Sequence, residues 1–188
     1  LYIVHQAGLP YAFKNWGAIH PAFSFAWMLV GIFAVVFLFL FIVGFIVYMF
    51  WLYRAAANVH ALRHDAMSIS PGWAVGWNFV PIAFFWMPYV AVKQIWQASS
   101  NIQYPDQVPV PGMLRWWWGF WLIAAILNWS REIDLHWWGS MDIPKGDLIH
   151  LIAFYAAIAA ACLFLFRIIR EITRAQATLA STTAGIFE

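Results

Sequence analysis

His60 and His64 are the residues whose types and spacing come closest to a chemical site. They lie four positions apart, so on a helix both imidazoles share one face and could bind a metal ion. The surrounding sequence offers no obvious third ligand and lacks the glutamate that a metalloprotease motif requires. We therefore interpret the pair as part of a solvated interfacial helix, and a metal or haem protein is a remote alternative.

The other histidines also lie away from the centres of the apolar runs. A transmembrane b-type haem needs two histidines that face each other at similar depth, so a haem inside a helix bundle is not expected. His20 and His150 are candidate interfacial ligands, because a chlorophyll takes a single axial ligand. A hydrogen-bonded structural histidine is the commoner explanation for each.

Nucleophilic and acid–base chemistry have weaker support. Cys162 is the single cysteine and lies within an apolar run, where a thiol is inert. The sequence contains no glycine-rich phosphate loop and no carboxylate pair at a spacing that suggests catalysis. We predict that the chain is not an enzyme and has no catalytic residue.

The elements that must position these residues are dominated by apolar side chains. Hydrophobic residues make up 64% of the 188 residues and charged residues 10%, against about 25% charged residues in soluble domains. This excludes a soluble domain and a disordered chain. The net charge of +2, without a dense basic patch, argues against binding to nucleic acid. We predict an all-α, polytopic membrane protein with three or four transmembrane helices.

Four apolar segments could form these helices. They are residues 22–53, 72–92, 113–129 and 148–166. The second contains Pro81 and Pro88; because interior prolines remove helix hydrogen bonds, we predict that it is kinked or re-entrant. The first has a phenylalanine at every fourth position from 33 to 45, and the fourth is rich in alanine, which lets helices approach closely in lipid.

These segments divide the chain into an N-terminal interfacial segment (1–21), a single helical membrane domain (22–174) and a flexible C-terminal tail (175–188). Lysine and arginine accumulate in cytoplasmic loops. If 72–92 re-enters, seven basic residues share the C-terminal side and three lie opposite; if it crosses, the split is six to four. Both topologies place the C-terminus in the cytoplasm. Arg167, Arg170 and Arg174 share one helix face, and we predict that they anchor this helix at the membrane interface by attraction to anionic lipid.

Residues 51–99 carry a family resemblance. The motifs are WLYR at 51–54 with Asn58, SPGWAVGW at 70–77, FVPIA at 79–83, WMPY at 86–89, IWQAS at 95–99 and the ending RIIREITRAQ at 167–176. They resemble a bacterial membrane-protein family catalogued as domain of unknown function 4328. The resemblance implies a multi-pass protein of the bacterial cytoplasmic (inner) membrane and no agreed activity. Asn78 and Phe84 depart from the family pattern.

The same stretch supplies candidate contact residues. Buried irregular backbone needs hydrogen-bond partners, which Arg54, Asn58 and Asn78 could provide. The candidates for a structural contact, or for contact with lipid or pigment, are Arg54, Asn58, Trp73, Trp77, Pro81, Trp86 and Pro88.

The function that we expect is that of a non-catalytic accessory subunit. It would pack within a larger membrane complex, photosynthetic or respiratory, through aromatic and small-residue helix faces. The alternative is a stand-alone lipid- or quinone-binding membrane protein. We predict no cofactor; lipid, carotenoid, quinone or a chlorophyll-type pigment could bind at interfaces, and the expected partners are membrane lipids and other membrane subunits.

Overall fold

A computed structural model describes residues 21–129 and 145–184, and every regular element in these ranges is helical. The predicted interfacial segment 1–21, apart from Pro21, and the candidate ligand His20 lie outside the described residues. The α-helices are α1 (Pro21–Leu62), α2 (Pro71–Gly76), α3 (Met87–Ser100), α4 (Gly112–Trp129) and α5 (Lys145–Ala184). Short 3-10 turns lie at His64–Ala66, Trp77–Phe79, Ala83–Phe85 and Pro105–Gln107.

Helix α1 is much longer than a bilayer requires. Its 42 residues extend roughly 63 Å at 1.5 Å per residue, about twice the 30 Å hydrocarbon core. The helix begins at Pro21. Proline suits a first turn because the N–H that it lacks would have no partner within the helix there. The boundary between two compact units of the chain falls inside α1, between Val47 and Tyr48. The single domain over 22–174 stays a prediction.

The proline-containing segment 72–92 is broken, as predicted, but only Pro81 breaks it. Pro81 lies in a turn between two 3-10 turns, whereas Pro88 is in the first turn of α3, where its missing N–H costs nothing. The longest helix that begins in this segment, α3, has 14 residues, about 21 Å, which is too short to cross a bilayer. The alternative in which this segment crosses as a fourth transmembrane helix is therefore wrong.

Two of the described helices are long and apolar enough to cross a membrane, through Gly31–Leu62 of α1 and Ile149–Ser181 of α5. The prediction of three or four such helices is too high by this criterion. The third predicted segment forms helix α4, but its hydropathy is lowered by Arg115 and by the tryptophans that follow it. Tryptophan carries a polar N–H and favours the membrane interface over the hydrocarbon core.

The unit that begins at Tyr48 has a core built mainly from four helices. Leu52 and Val59 of α1, Ile95 of α3, Leu114 of α4 and Ile168 of α5 are fully buried together. Helix α5 packs along α4 and also against α3. It continues to Ala184, beyond the predicted boundary at residue 174.

Candidate functional site

One side-chain amide joins three helices. Gln176 Nε2 of α5 donates to the carbonyl oxygen of Ala55 in α1 and to Ser99 Oγ in α3, both at 3.0 Å. Asn58 Nδ2 donates to Gln176 Oε1 at 2.9 Å, and a longer bond of 3.3 Å runs from Trp51 Nε1 to Thr173 Oγ1. All the hydrogen-bonding atoms of the Gln176 amide group are thus used at the junction of α1, α3 and α5.

Sequence reasoning identified Asn58 but missed Gln176, which it assigned to a tail. The available signal was the spacing, because Ile168, Ile172 and Gln176 recur every fourth residue on the face that is directed at the core. The Arg54 side chain is exposed and makes no hydrogen bond or ion pair with any described residue. Its predicted role as a backbone partner is therefore not seen in the structure.

In the irregular segment 77–86, which we call the broken turn, several backbone groups have hydrogen-bond partners. Asn78 Nδ2 donates to the carbonyls of Ala74 and Val75, both at 3.1 Å. Asn78 is thus a backbone partner, but the carbonyls that it binds belong to helix α2 and not to the irregular segment. Trp118 Nε1 of α4 donates to the Phe85 carbonyl at 3.2 Å, and Phe84 N donates to the Val80 carbonyl at 2.8 Å. A backbone satisfied in this way is suited to a low-dielectric environment.

The broken turn nevertheless exposes large apolar side chains. Ile82 is 73% exposed, and Trp86 is about half exposed. Trp73 is exposed and lies with its ring centroid 4.6 Å from that of the half-buried Trp77. Among the predicted contact residues, Pro81 is also exposed, whereas Pro88 is buried and is not accessible to a ligand.

Two of the histidine candidates, His60 and His150, bind backbone carbonyls. His60 Nε2 lies 3.0 Å from the carbonyl oxygen of Ile69, and its ring contacts that of His64 edge-on at 5.1 Å. His150 Nε2 lies 2.8 Å from the carbonyl oxygen of Leu127, which joins α5 to α4. Because a carbonyl only accepts, each Nε2 is the donor. No group of three or more metal-binding side chains occurs among the described residues.

The Arg63 guanidinium, which we call the Arg63 fork, links the turn after α1 to the connector between α3 and α4 (residues 101–111). Arg63 Nε and one terminal nitrogen donate to the two Asp65 oxygens at 2.8 Å. The other terminal nitrogen donates to the carbonyls of Ile102 and Gln103. The buried Gln97 of α3 donates to the Val108 carbonyl in the same connector at 2.9 Å. Sequence reasoning did not identify either contact.

The Arg63 fork should make Asp65 titrate at unusually low pH. The hydrogen bonds from Arg63 lower the pKa of the Asp65 carboxyl, so its ion pair stabilises the fold above the unfolded pKa of about 3.9 and is lost as pH falls through the lower folded value. Carboxyl ¹³C shifts followed with pH should place the midpoint below 3.9, and Arg63→Gln should return it towards that value. A wild-type midpoint at or above 3.9 would contradict the fork.

The basic face of α5 matches its predicted pattern. Arg167, Arg170 and Arg174 are exposed, whereas Ile168 and Ile172 on the other face are buried. None of the three arginine side chains makes a hydrogen bond or an ion pair with another described residue. Their predicted role as an anchor for anionic lipid stays a prediction.

These features define the class: an all-helical protein with two helices long and apolar enough to cross a membrane. Residues 20–174 match the family model of DUF4328, a domain of unknown function, and the chain therefore belongs to that family. The resemblance seen in the motifs is thereby confirmed. No curated protein and no solved structure matches the chain significantly.

Proposed function

We propose that the chain is a non-catalytic integral membrane protein that packs as an accessory subunit within a larger membrane assembly. The main support is the exposed apolar surface of α1 between Met28 and Val47, where Phe33 is 72% exposed. A Cβ added at Gly31 or at Gly44 would meet no atom within 4 Å. Small residues next to exposed apolar ones allow close helix–helix packing in lipid.

The proposal includes a topology in which α4 lies in the membrane through its packing against α5, although α4 by itself does not meet the hydropathy criterion that α1 and α5 meet. The rings of Phe120 and Phe164 stack with centroids 5.9 Å apart, and His150 reaches Leu127. These pairs show that α4 and α5 run antiparallel, so α4 shares the depth of the apolar part of α5. The broken turn then returns to the side from which it came.

This topology distributes charge as the positive-inside rule requires. The basic residues on the C-terminal side are Arg54, Arg63, Lys93, Arg115, Arg167, Arg170 and Arg174. The proposal therefore places the C-terminus in the cytoplasm and the protein in a bacterial inner membrane, which it crosses more than once.

The particle extracted from native membranes tests the proposed function. In mild detergent, the tagged chain should migrate with fixed partner chains, and the double variant Phe33→Ala/Leu40→Ala should lose them several-fold because both side chains lie on one exposed face of α1. The matched control is Ile123→Ala/Ile126→Ala on the exposed face of α4. Mass and subunit composition are the measurement.

Two outcomes would contradict the accessory role. If the wild-type chain always migrates alone, it has no fixed partner. If both double variants lose the partner chains equally, α1 is not the contact surface. The first outcome would favour the alternative, a stand-alone lipid- or quinone-binding protein, which is supported by the exposed aromatic side chains of the broken turn.

A further inference from the structure

The junction of the broken turn with α4 combines an exposed apolar surface with a free cation. Ile82, Phe85 and Trp86 are exposed, and the Phe85 carbonyl is held by Trp118 of α4. The Arg115 side chain is exposed and makes no hydrogen bond or ion pair with any described residue. Arg115 precedes Trp118 by three residues, so both lie on one helix face, about 4.5 Å apart along the axis.

We propose that this junction binds an anionic phospholipid, with its phosphate at Arg115 and an acyl chain along Ile82, Phe85 and Trp86. The inference rests on the membrane placement in the proposed function. A guanidinium offers several donors in a plane that matches phosphate oxygens. Trp116, next to Arg115 and 63% exposed, is of the type that occupies the headgroup level.

The order of polar and apolar groups matches that of a lipid. Beyond Trp118, α4 presents Trp121, whose ring lies 6.1 Å from that of Phe84 in the broken turn. The neighbouring Phe120 stacks on Phe164 of α5, in the apolar segment that is long enough to cross a membrane. The surface therefore changes from cationic to apolar in the direction of the proposed membrane interior.

The charge at the junction is also complementary to an anionic headgroup. Residues 72–92 contain no acidic or basic side chain, so the broken turn contributes nothing that would neutralise Arg115. A basic residue near a membrane surface attracts anionic lipid by about 1 kcal/mol, which is roughly fivefold in affinity. Phosphatidylcholine is zwitterionic and has no net charge, so it should not gain this attraction.

Lipid preference of the full-length chain tests the site. The protein is placed in bilayers of phosphatidylcholine with phosphatidylglycerol, and spin-labelled versions of each lipid report its relative association. Arg115→Gln should lower the preference for phosphatidylglycerol about fivefold, and Arg115→Lys should keep most of it. The matched control, Lys93→Gln, removes a basic side chain of α3 that belongs to no predicted lipid contact and should have a smaller effect.

A variant at the apolar surface distinguishes the contribution of the acyl-chain contact from that of the charge at Arg115. Ile82→Ser should weaken retention of both lipids while leaving their ratio unchanged, because it alters the acyl surface and not the charge. Circular dichroism of each variant shows whether its helices are intact. An unchanged retention of both lipids in Ile82→Ser would overturn the acyl contact.

The remaining outcomes distinguish the sources of failure. Equal losses in Arg115→Gln and Lys93→Gln would overturn the site in favour of diffuse charge. Displacement of the lipid by millimolar glycerol phosphate or inorganic phosphate would overturn it in favour of a free-anion site. If alkaline carbonate releases the wild-type chain from native membranes, the proposed membrane placement is wrong. If the chain resists carbonate but Arg115→Gln leaves the lipid preference unchanged, the membrane placement stands and only the lipid site is wrong.

Discussion

Gln176→Leu is expected to loosen the junction of α1, α3 and α5 and to lower the free energy of unfolding by about 2 kcal/mol. Leucine has a similar size but cannot bond to Ser99, Asn58 or the Ala55 carbonyl, all of which Gln176 contacts. Ser99 is only 3% exposed, so its hydroxyl would lose its partner away from water. For a chain of this size the loss corresponds to about 4–8 °C in Tm.

Thermal unfolding in detergent, followed by circular dichroism, measures this change. Gln107→Leu is the control, because Gln107 is exposed in the connector after α3 and its replacement should shift the Tm by less than about 2 °C. A double-mutant cycle with Asn58→Ala isolates the amide pair. Additive effects in that cycle, or equal shifts for the two glutamine variants, would contradict a coupled junction.

Ile95→Ala is expected to have the largest effect on stability. Ile95 is completely buried in α3 and belongs to the same core as Leu52, Leu114 and Ile168. Removing its outer carbons leaves a cavity, which costs about 2–5 kcal/mol in packed cores, and the Tm should fall by roughly 10 °C. Ile95→Val should give a smaller loss, of about 1 kcal/mol.

The control for this series is the same substitution at an exposed isoleucine. Ile126 of α4 is 64% exposed, and its replacement by alanine creates no cavity, so its effect should stay within about 0.5 kcal/mol. The same melting experiment compares the two. A Tm for Ile95→Ala that equals that of Ile126→Ala would show that α3 is not packed into the core.

Local patterns were sufficient to predict the helical class and the break in the second apolar segment. A long uncharged run predicts α1, and Pro81 cannot continue a helix, so both features follow from chemistry within a few residues. Pro88 was misjudged because a proline in a first turn and a proline in a helix interior look alike until the helix start is known. The hydropathy of α4 was overestimated because tryptophan is large and aromatic but also polar at its N–H.

Long-range contacts were not predictable in this way. The Asn58–Gln176 bond joins residues 118 positions apart, and the Arg63 fork reaches carbonyls about 40 positions away. Helical periodicity places a residue on a face, but it does not identify the helix that the face meets. His60 and His150 illustrate the same point, because their partners are backbone carbonyls that carry no side-chain signature.

The connector after α3 has a practical consequence for engineering the molecule. Its tip, Pro105–Gln107, is enclosed by two fixed points: Arg63 holds the carbonyls of Ile102 and Gln103 before it, and Gln97 holds that of Val108 after it. A peptide tag or a reporter domain inserted at the tip would leave both attachments in place. Because the entropy of closing a loop grows only slowly with its length, such a fusion would add little thermodynamic cost.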